Sequence, residues 1–290
     1  MKSVFPILNI DQFPAERNGE FYANDIRSHI DLHHHHISKP HKHDFYLTVI
    51  FTKGSGFHEI DFNSYKVTSG SVFLLKPGQT HFWDLSDDIS GYVILHSKLF
   101  FDLNYSKRSI DNFPFFYSVQ NDPSIYLDLE NMQEVVQIFR AIKHEYDSDK
   151  IFKHQKIGSL TDLLYIALSR MYQSKISVSG HHSGVQLEQL RKLESLIDQF
   201  YLSEKSAAFY AERMNISSRH LNRIIQNLLG KTTTDLILER VMLEAQRLLS
   251  ASKMTVAELT GFLGYEDQSY FSRLFKNRLG ITPTEFSKRY

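Results

Sequence analysis

Apolar and polar positions alternate in short stretches through the first third of the chain and recur every three or four residues through the rest. From about Phe21 to Leu99 the pattern is of short strands, most clearly in HKHDFYLTVIFTKGSGFHEIDFNSYKVTSGSVFLLKPGQTHFWDL. Turn signals interrupt it at Gly54, Gly56, Gly70 and Pro77-Gly78. Evenly spaced short strands of this kind predict a β-sandwich or barrel. The run His33–His36 reads as part of an edge strand, with imidazoles on alternate faces. From about Leu127 the period changes. Leu129, Met132, Val136, Phe139 and Ile142 form one helical stripe, and Ile157, Leu160, Leu164, Ala167 and Met171 form another.

The segment SKISVSGHHSGVQ, rich in Ser and Gly, then reads as a linker. Beyond it everything is helical, beginning with the stripe Leu187, Leu190, Leu193, Ile197 and Phe200. Gly230 and Gly280 stand where left-handed C-caps end helices. Thr255–Glu258 and Thr282-Pro283-Thr284-Glu285 each fit a capping box, in which hydroxyl and carboxylate satisfy free backbone N–H groups. The expected division is residues 1–178, with a barrel at about 21–100 and helices at about 128–174, a linker at 179–186, and a helical unit at 187–290.

Composition narrows the chemistry. The 290 residues contain no Cys, which removes disulfide frameworks, Cys-ligated zinc or iron–sulfur centres and thiol nucleophiles. No apolar run approaches the roughly 18 residues of a membrane span. The amino terminus lacks a small-residue cleavage site before Asp11, so a cytoplasmic protein is expected. The net charge is zero, yet residues from Gln186 onward carry +3 and the earlier ones −3. A mildly basic tail is compatible with nucleic-acid binding.

The tail contains a paired motif. Ala207–Gly230 and Val256–Gly280 each read as a short helix, a turn, and a longer helix with one polar side. That is the helix-turn-helix plan, which places the second helix in a major groove. In the first copy Leu221, Ile225 and Leu228 are expected in the core, with Arg219, Asn222, Arg223 and Gln226 outward. In the second, Tyr270, Phe271, Leu274 and Phe275 are expected to pack, leaving Gln268, Ser269, Ser272, Arg273 and Lys276 outward. Arg pairs with guanine and Asn or Gln with adenine, while Ser and Lys hold phosphates.

GFLGYEDQSYFSRLFKNRLGITPTEF and AERMNISSRHLNRIIQNLLGKTTTDLILERVMLEAQRLL closely resemble the DNA-binding domain of AraC/XylS-type transcriptional regulators. The resemblance covers roughly the last 100 residues. By position it implies base contacts from Arg219, Asn222, Arg223, Gln268, Ser269, Ser272 and Arg273. Ile225, Val241 and Thr260 depart from the family pattern by compact swaps that affect packing only.

In the front half, His41, His43 and His81, with Gly70, Pro77 and Gly78, resemble part of a cupin barrel. Leu47 and Thr48 stand where the cupin carboxylate is expected, so no metal or other cofactor is assigned. Tyr46, His58, Trp83 and Tyr92 either complete, with the three His, a candidate surface for a small ligand or simply pack in the core. The expected fold is α+β multidomain: an N-terminal cupin-like β-barrel with an α-helical pair, then an all-α domain with two helix-turn-helix modules. The resemblance implies a regulator, not an enzyme, that binds promoter DNA under control of a small-molecule effector. It further implies a homodimer that works with RNA polymerase; the helix pair at 128–174 is expected to cover the barrel's own core, to present one stripe to a second subunit, or to do both on opposite sides. The rival is a cupin metalloenzyme, an isomerase or dioxygenase, with an accessory DNA-binding tail.

Overall fold

The computed structural model describes residues 5–13, 19–37, 39–104, 109–172, 184–251 and 254–289. It divides into two compact units, one of Phe5–Ser174 and one containing Lys175–Tyr290.

In the first unit the alternating segments pair into two five-stranded sheets. One contains β1 (Ile7–Leu8), β3 (His41–His43), β5 (Gly56–Ile60), β6 (Asn63–Val67) and β8 (Thr80–Leu85), in the order β1-β3-β8-β5-β6. The other contains β2 (Phe21–Asp25), β4 (Tyr46–Lys53), β7 (Ser71–Leu75), β9 (Ser90–His96) and β10 (Ser124–Tyr126), in the order β10-β7-β4-β9-β2. β1 and β10 thus extend the sheets beyond the expected barrel limits of 21–100. Leu47, Val49, Phe51, Phe73, Leu75, Val93 and Leu95 face inward between the sheets.

The opposite face of the second sheet presents Tyr46, Ile50, Val72, Leu74 and Ile94 to a second core. Helices α2 (Lys98–Asn104), α3 (Leu129–Tyr146) and α4 (Lys153–Met171) supply the rest of that core. β4 therefore reads as a nearly unbroken apolar run, because it is covered on both sides. Of the α4 stripe, Ile157, Leu164 and Ala167 are buried and Leu160 and Met171 are packed against the same core. The stripe is thus spent inside its own unit, the first of the two uses expected of the helix pair. Leu129, expected in the α3 stripe, is exposed.

His33–His36 are not a strand. They lie in helix α1 (Ile26–Ile37), which buries Ile26, His29 and His33 on one face at three- and four-residue spacing. Helical periodicity escapes notice when imidazole is counted as polar.

Among the described residues the second unit is a chain of seven helices: α5 (Gly184–Phe200), α6 (Ala207–Arg213), α7 (Ser218–Leu229), α8 (Thr233–Ala251), α9 (Val256–Phe262), α10 (Gln268–Leu279) and α11 (Pro283–Ser287). α5 begins at Gly184, so the last three residues of the expected 179–186 linker are helical. Residues 179–183 lie outside the described set. Both expected capping boxes form, at Thr255/Glu258 and Thr282/Glu285. Gly230 and Gly280 end α7 and α10 in the left-handed region, at φ 67° and 79°.

Candidate functional site

Two successive helix-turn-helix units are built by one local recipe. After α6 the N–H of Ile216 reaches back to the Ala211 carbonyl, with Asn215 at φ 56°. After α9 the N–H of Tyr265 reaches the Thr260 carbonyl in the same way, with Gly264 at φ 77°. Each is a helix end closed by a left-handed residue and a long backward hydrogen bond. The next helix then starts on a side-chain cap. Ser217 Oγ accepts from His220 N–H at 3.2 Å, and Asp267 Oδ1 accepts from Tyr270 N–H at 2.9 Å.

α7 buries Leu221, Ile224, Ile225 and Leu228, which leaves Arg219, Arg223 and Gln226 exposed on the other side. An Nη2 of Arg223 donates to His220 Nδ1 at 2.9 Å, holding the guanidinium along the helix surface. α10 buries Phe271 and Phe275 and exposes Gln268, Ser269, Arg273 and Lys276, with Ser272 half-buried. Six of the expected contact residues are thus brought onto two outward helix faces beside Lys276.

Asn222 is a correction. It is half-buried, and its Oδ1 accepts from the Thr233 backbone N–H at 2.9 Å, so its carbonyl oxygen clasps the start of α8 and the side chain does not stand free on the outward face as expected. Tyr270 is the converse correction. Expected in the core, it is 51% exposed, because Phe271 and Phe275 alone fill the buried side of α10. Helical geometry then carries position 270 around toward Arg273. Leu274 is half-buried.

In the first unit the histidines converge between the sheets. His41, His43, His81 and Trp83 line one cavity with Phe13, His29, Phe45, Leu47 and Leu95. His58 lies beside it, its Nε2 3.0 Å from His81 Nδ1. The cavity measures about 10 Å³, the room of one water molecule. His41 and His43 present Nδ1 to the carbonyls of Lys39 and Phe45, at 2.8 and 2.6 Å. A carbonyl only accepts, so those Nδ1 atoms carry the protons and the Nε2 atoms are acceptors in the neutral rings. His43 Nε2, His58 Nδ1, His81 Nε2 and Trp83 Nε1 are buried without a hydrogen-bond partner among the described residues. Burial pushes His29 and His43 down to about 3, aided by neighbouring imidazoles, and holds His58 and His81 well below the usual range.

Tyr46 and Tyr92 do not join this interior. Both strands alternate, and these two positions point to the helical layer. Tyr46 stacks on His96 there, and the Tyr92 hydroxyl accepts from Arg140 Nε at 3.1 Å. At the expected carboxylate position, Leu47 lines the cavity, while Thr48 turns away to Tyr165, 3.2 Å distant. Among the described residues no three His, Asp or Glu side chains are arranged to hold a metal ion. No described helix is long and apolar enough to cross a membrane.

Two family models match these two units in series. Residues 26–155 match an AraC-like ligand binding domain, and residues 210–289 match a helix-turn-helix domain. The chain belongs to the AraC family of transcriptional regulators. It is 24% identical over 278 residues to the HTH-type transcriptional activator RhaR of Cronobacter sakazakii, covering 94% of this chain and 96% of that one. The RhaR of an Escherichia coli O139:H28 strain is also 24% identical, over 271 residues, covering 92% and 94%. Among solved structures, ToxT from Vibrio cholerae is 14% identical, covering 92% of this chain and 98% of that one, with a TM-score of 0.44. The C-terminal domain of AraT from Geobacillus stearothermophilus is 27% identical over 38% of this chain and 88% of that one, with a TM-score of 0.34.

As an AraC-family protein the chain is a DNA-binding transcriptional regulator with an N-terminal ligand-binding domain. Several of its working residues lack any periodic signal in the sequence. Arg213, for example, lies over the rings of Phe200 and Phe209, 4.4 and 4.5 Å from their centres. Arg240 likewise joins α5 to α8, lying over Tyr201 and donating to Asp198 Oδ1 at 2.7 Å and Glu244 Oε2 at 3.0 Å. His29 and His33, on the buried face of α1, are the unforeseen members of the imidazole cluster. Their i, i+4 spacing was the available signal.

Proposed function

We propose that Arg219 and Arg223 on α7, and Gln268, Ser269, Ser272 and Arg273 on α10, read base edges in two successive major-groove segments of a promoter. Lys276 holds a phosphate beside the second segment. The observation that carries this reading is the division of each helix into a fully buried apolar side and a cation-bearing exposed side, presented twice by the same turn. Arginine on such a face can grip guanine through two parallel hydrogen bonds.

The effector acts at the imidazole-lined interior, where His43, His58, His81 and Trp83 supply unsatisfied polar atoms and His41 adds a further ring, against an apolar wall. A guest larger than a water requires the walls to move, among them His29 of α1. The ligand then works by preferring one arrangement of the protein over another. The protein acts as a homodimer in the cytoplasm. Half-exposed Leu163 on α4 and the exposed pair Ile151 and Phe152 offer contact area in place of the buried stripe. Since its relatives are described as activators, the bound protein recruits RNA polymerase. No catalytic role is assigned, because Leu47 stands where the metalloenzyme reading needs a carboxylate.

Genome-wide mapping of bound DNA, with and without candidate growth substrates, tests the proposal. Discrete promoter sites whose occupancy changes with one substrate are expected. Occupancy that no substrate alters, or binding without preferred sites, contradicts it.

A further inference from the structure

The first turn of α8 receives side chains from both recognition helices. Thr232 and Asp235 form a reciprocal cap: Asp235 Oδ2 accepts from the Thr232 N–H at 3.0 Å and hydroxyl at 2.7 Å, and Thr232 Oγ1 accepts from Asp235 N–H at 3.1 Å. That leaves two handles. The Thr233 N–H is taken by Asn222 of α7, at 2.9 Å. Asp235 Oδ1 is taken by an Nη2 of Arg278, in the last turn of α10, at 2.7 Å. Two helices whose centres lie about 50 residues apart in sequence are thereby tied to Thr233 and Asp235, within one turn of α8.

We propose that this turn is a clamp that sets the spacing between the two recognition helices, with Asn222, Asp235 and Arg278 as positioning residues. The clamp rests on the two-module reading of DNA given above. Helices α7 and α10 reach α8 through different connections, α7 through a three-residue turn and α10 through α9. Backbone connectivity therefore fixes the first helix closely and the second loosely, and the Arg278–Asp235 pair closes the loose side. A half-exposed ion pair contributes little to folding on its own. Here one carboxylate oxygen is already immobilised by Thr232, so the other offers Arg278 a fixed anchor. A lever at the far end of α10 needs only such an anchor to hold its direction. Duplex DNA reads that direction sharply, because one base pair of added spacing turns the second segment by about a tenth of a helical turn.

The test uses the full chain and duplexes that the unaltered protein selects from random DNA. One base pair is then inserted or removed between the two segments. The unaltered protein is expected to lose at least about tenfold in affinity on either change, the scale of a lost pair of base contacts. Arg278→Ala keeps the base preferences of both segments but loses less than about threefold on the same changes, because its second helix can follow the DNA. Asp235→Asn, which keeps oxygen for the cap without the charge, shows the same tolerance, and Arg278→Lys stays near the unaltered protein. Far-UV circular dichroism verifies that each variant is folded. Equal weakening at every spacing by Arg278→Ala, with a salt dependence shallower by about one ion, makes Arg278 a phosphate contact and overturns the clamp alone. No change at any spacing also overturns it. Selection of only one segment by the unaltered protein overturns the two-module reading and the clamp with it.

Discussion

Burial sets the charge state of the sensor's histidines, and their pH response follows from it. His29 and His43 are pushed down to about 3 and His96 to about 4, chiefly by desolvation. In an unfolded chain the same groups titrate near 6.5. Below that value the unfolded chain takes up protons that the folded chain refuses. Stability present above about pH 6.5 is therefore lost as the pH falls toward the folded values. Each such group costs about 1.4 kcal/mol per pH unit, so the three together approach 4 kcal/mol per unit well below 6.5. Trp83, the single tryptophan, lies against the rings of His29, His58 and His81 and reports on the same unit. Its fluorescence melt should move to clearly lower temperature between pH 7 and pH 5. A melting temperature that stays constant over that range contradicts neutral, buried imidazoles.

At the scale of elements, the two helix-turn-helix turns solve one problem with different residues. Asn215 and Gly264 both occupy the left-handed region, but only Gly264 lies tight against backbone. A Cβ there would meet the Leu202 carbonyl oxygen at 2.2 Å, with φ at 77°. Gly264→Ala should lower the melting temperature of the helical unit and remove DNA binding, since the left-handed backbone alone costs about 1–2 kcal/mol before the clash. Gly261→Ala in α9, where a Cβ meets nothing within 4 Å, should be neutral or mildly stabilising. Equal melts for the two variants contradict this account of the turn. The same elements show what the sequence could convey. Caps, C-terminal glycines and paired modules were legible because they are local in sequence. The faces of Tyr46 and Tyr92 were not, because β4 and β9 are covered on both sides and their apolar pattern does not mark which side is the interior. Helix α1 was hidden because its buried face is made of His29 and His33 beside Ile26. Asn222 and Tyr270 depart from their expected exposure because a tertiary hydrogen bond claims one and a filled core leaves the other outside.

At the scale of the whole molecule, one unit offers a closed, polar-lined interior and the other offers two outward helices, as an effector-controlled DNA reader requires. Helix α8, with 19 residues, spans about 28 Å at 1.5 Å per residue. With its flanking helices it can set α7 and α10 about one DNA turn apart, near 34 Å, on one face of the duplex. The central claim is that each of these helices reads its own groove segment. Binding-site selection from random DNA by the unaltered chain, Arg219→Ala and Arg273→Ala tests it directly. Each substitution should cost about 1–3 kcal/mol and relax one position, the two positions lying in segments about ten base pairs apart. Loss of preference at the same base positions in both variants, or an unchanged preferred sequence in either, would contradict the account.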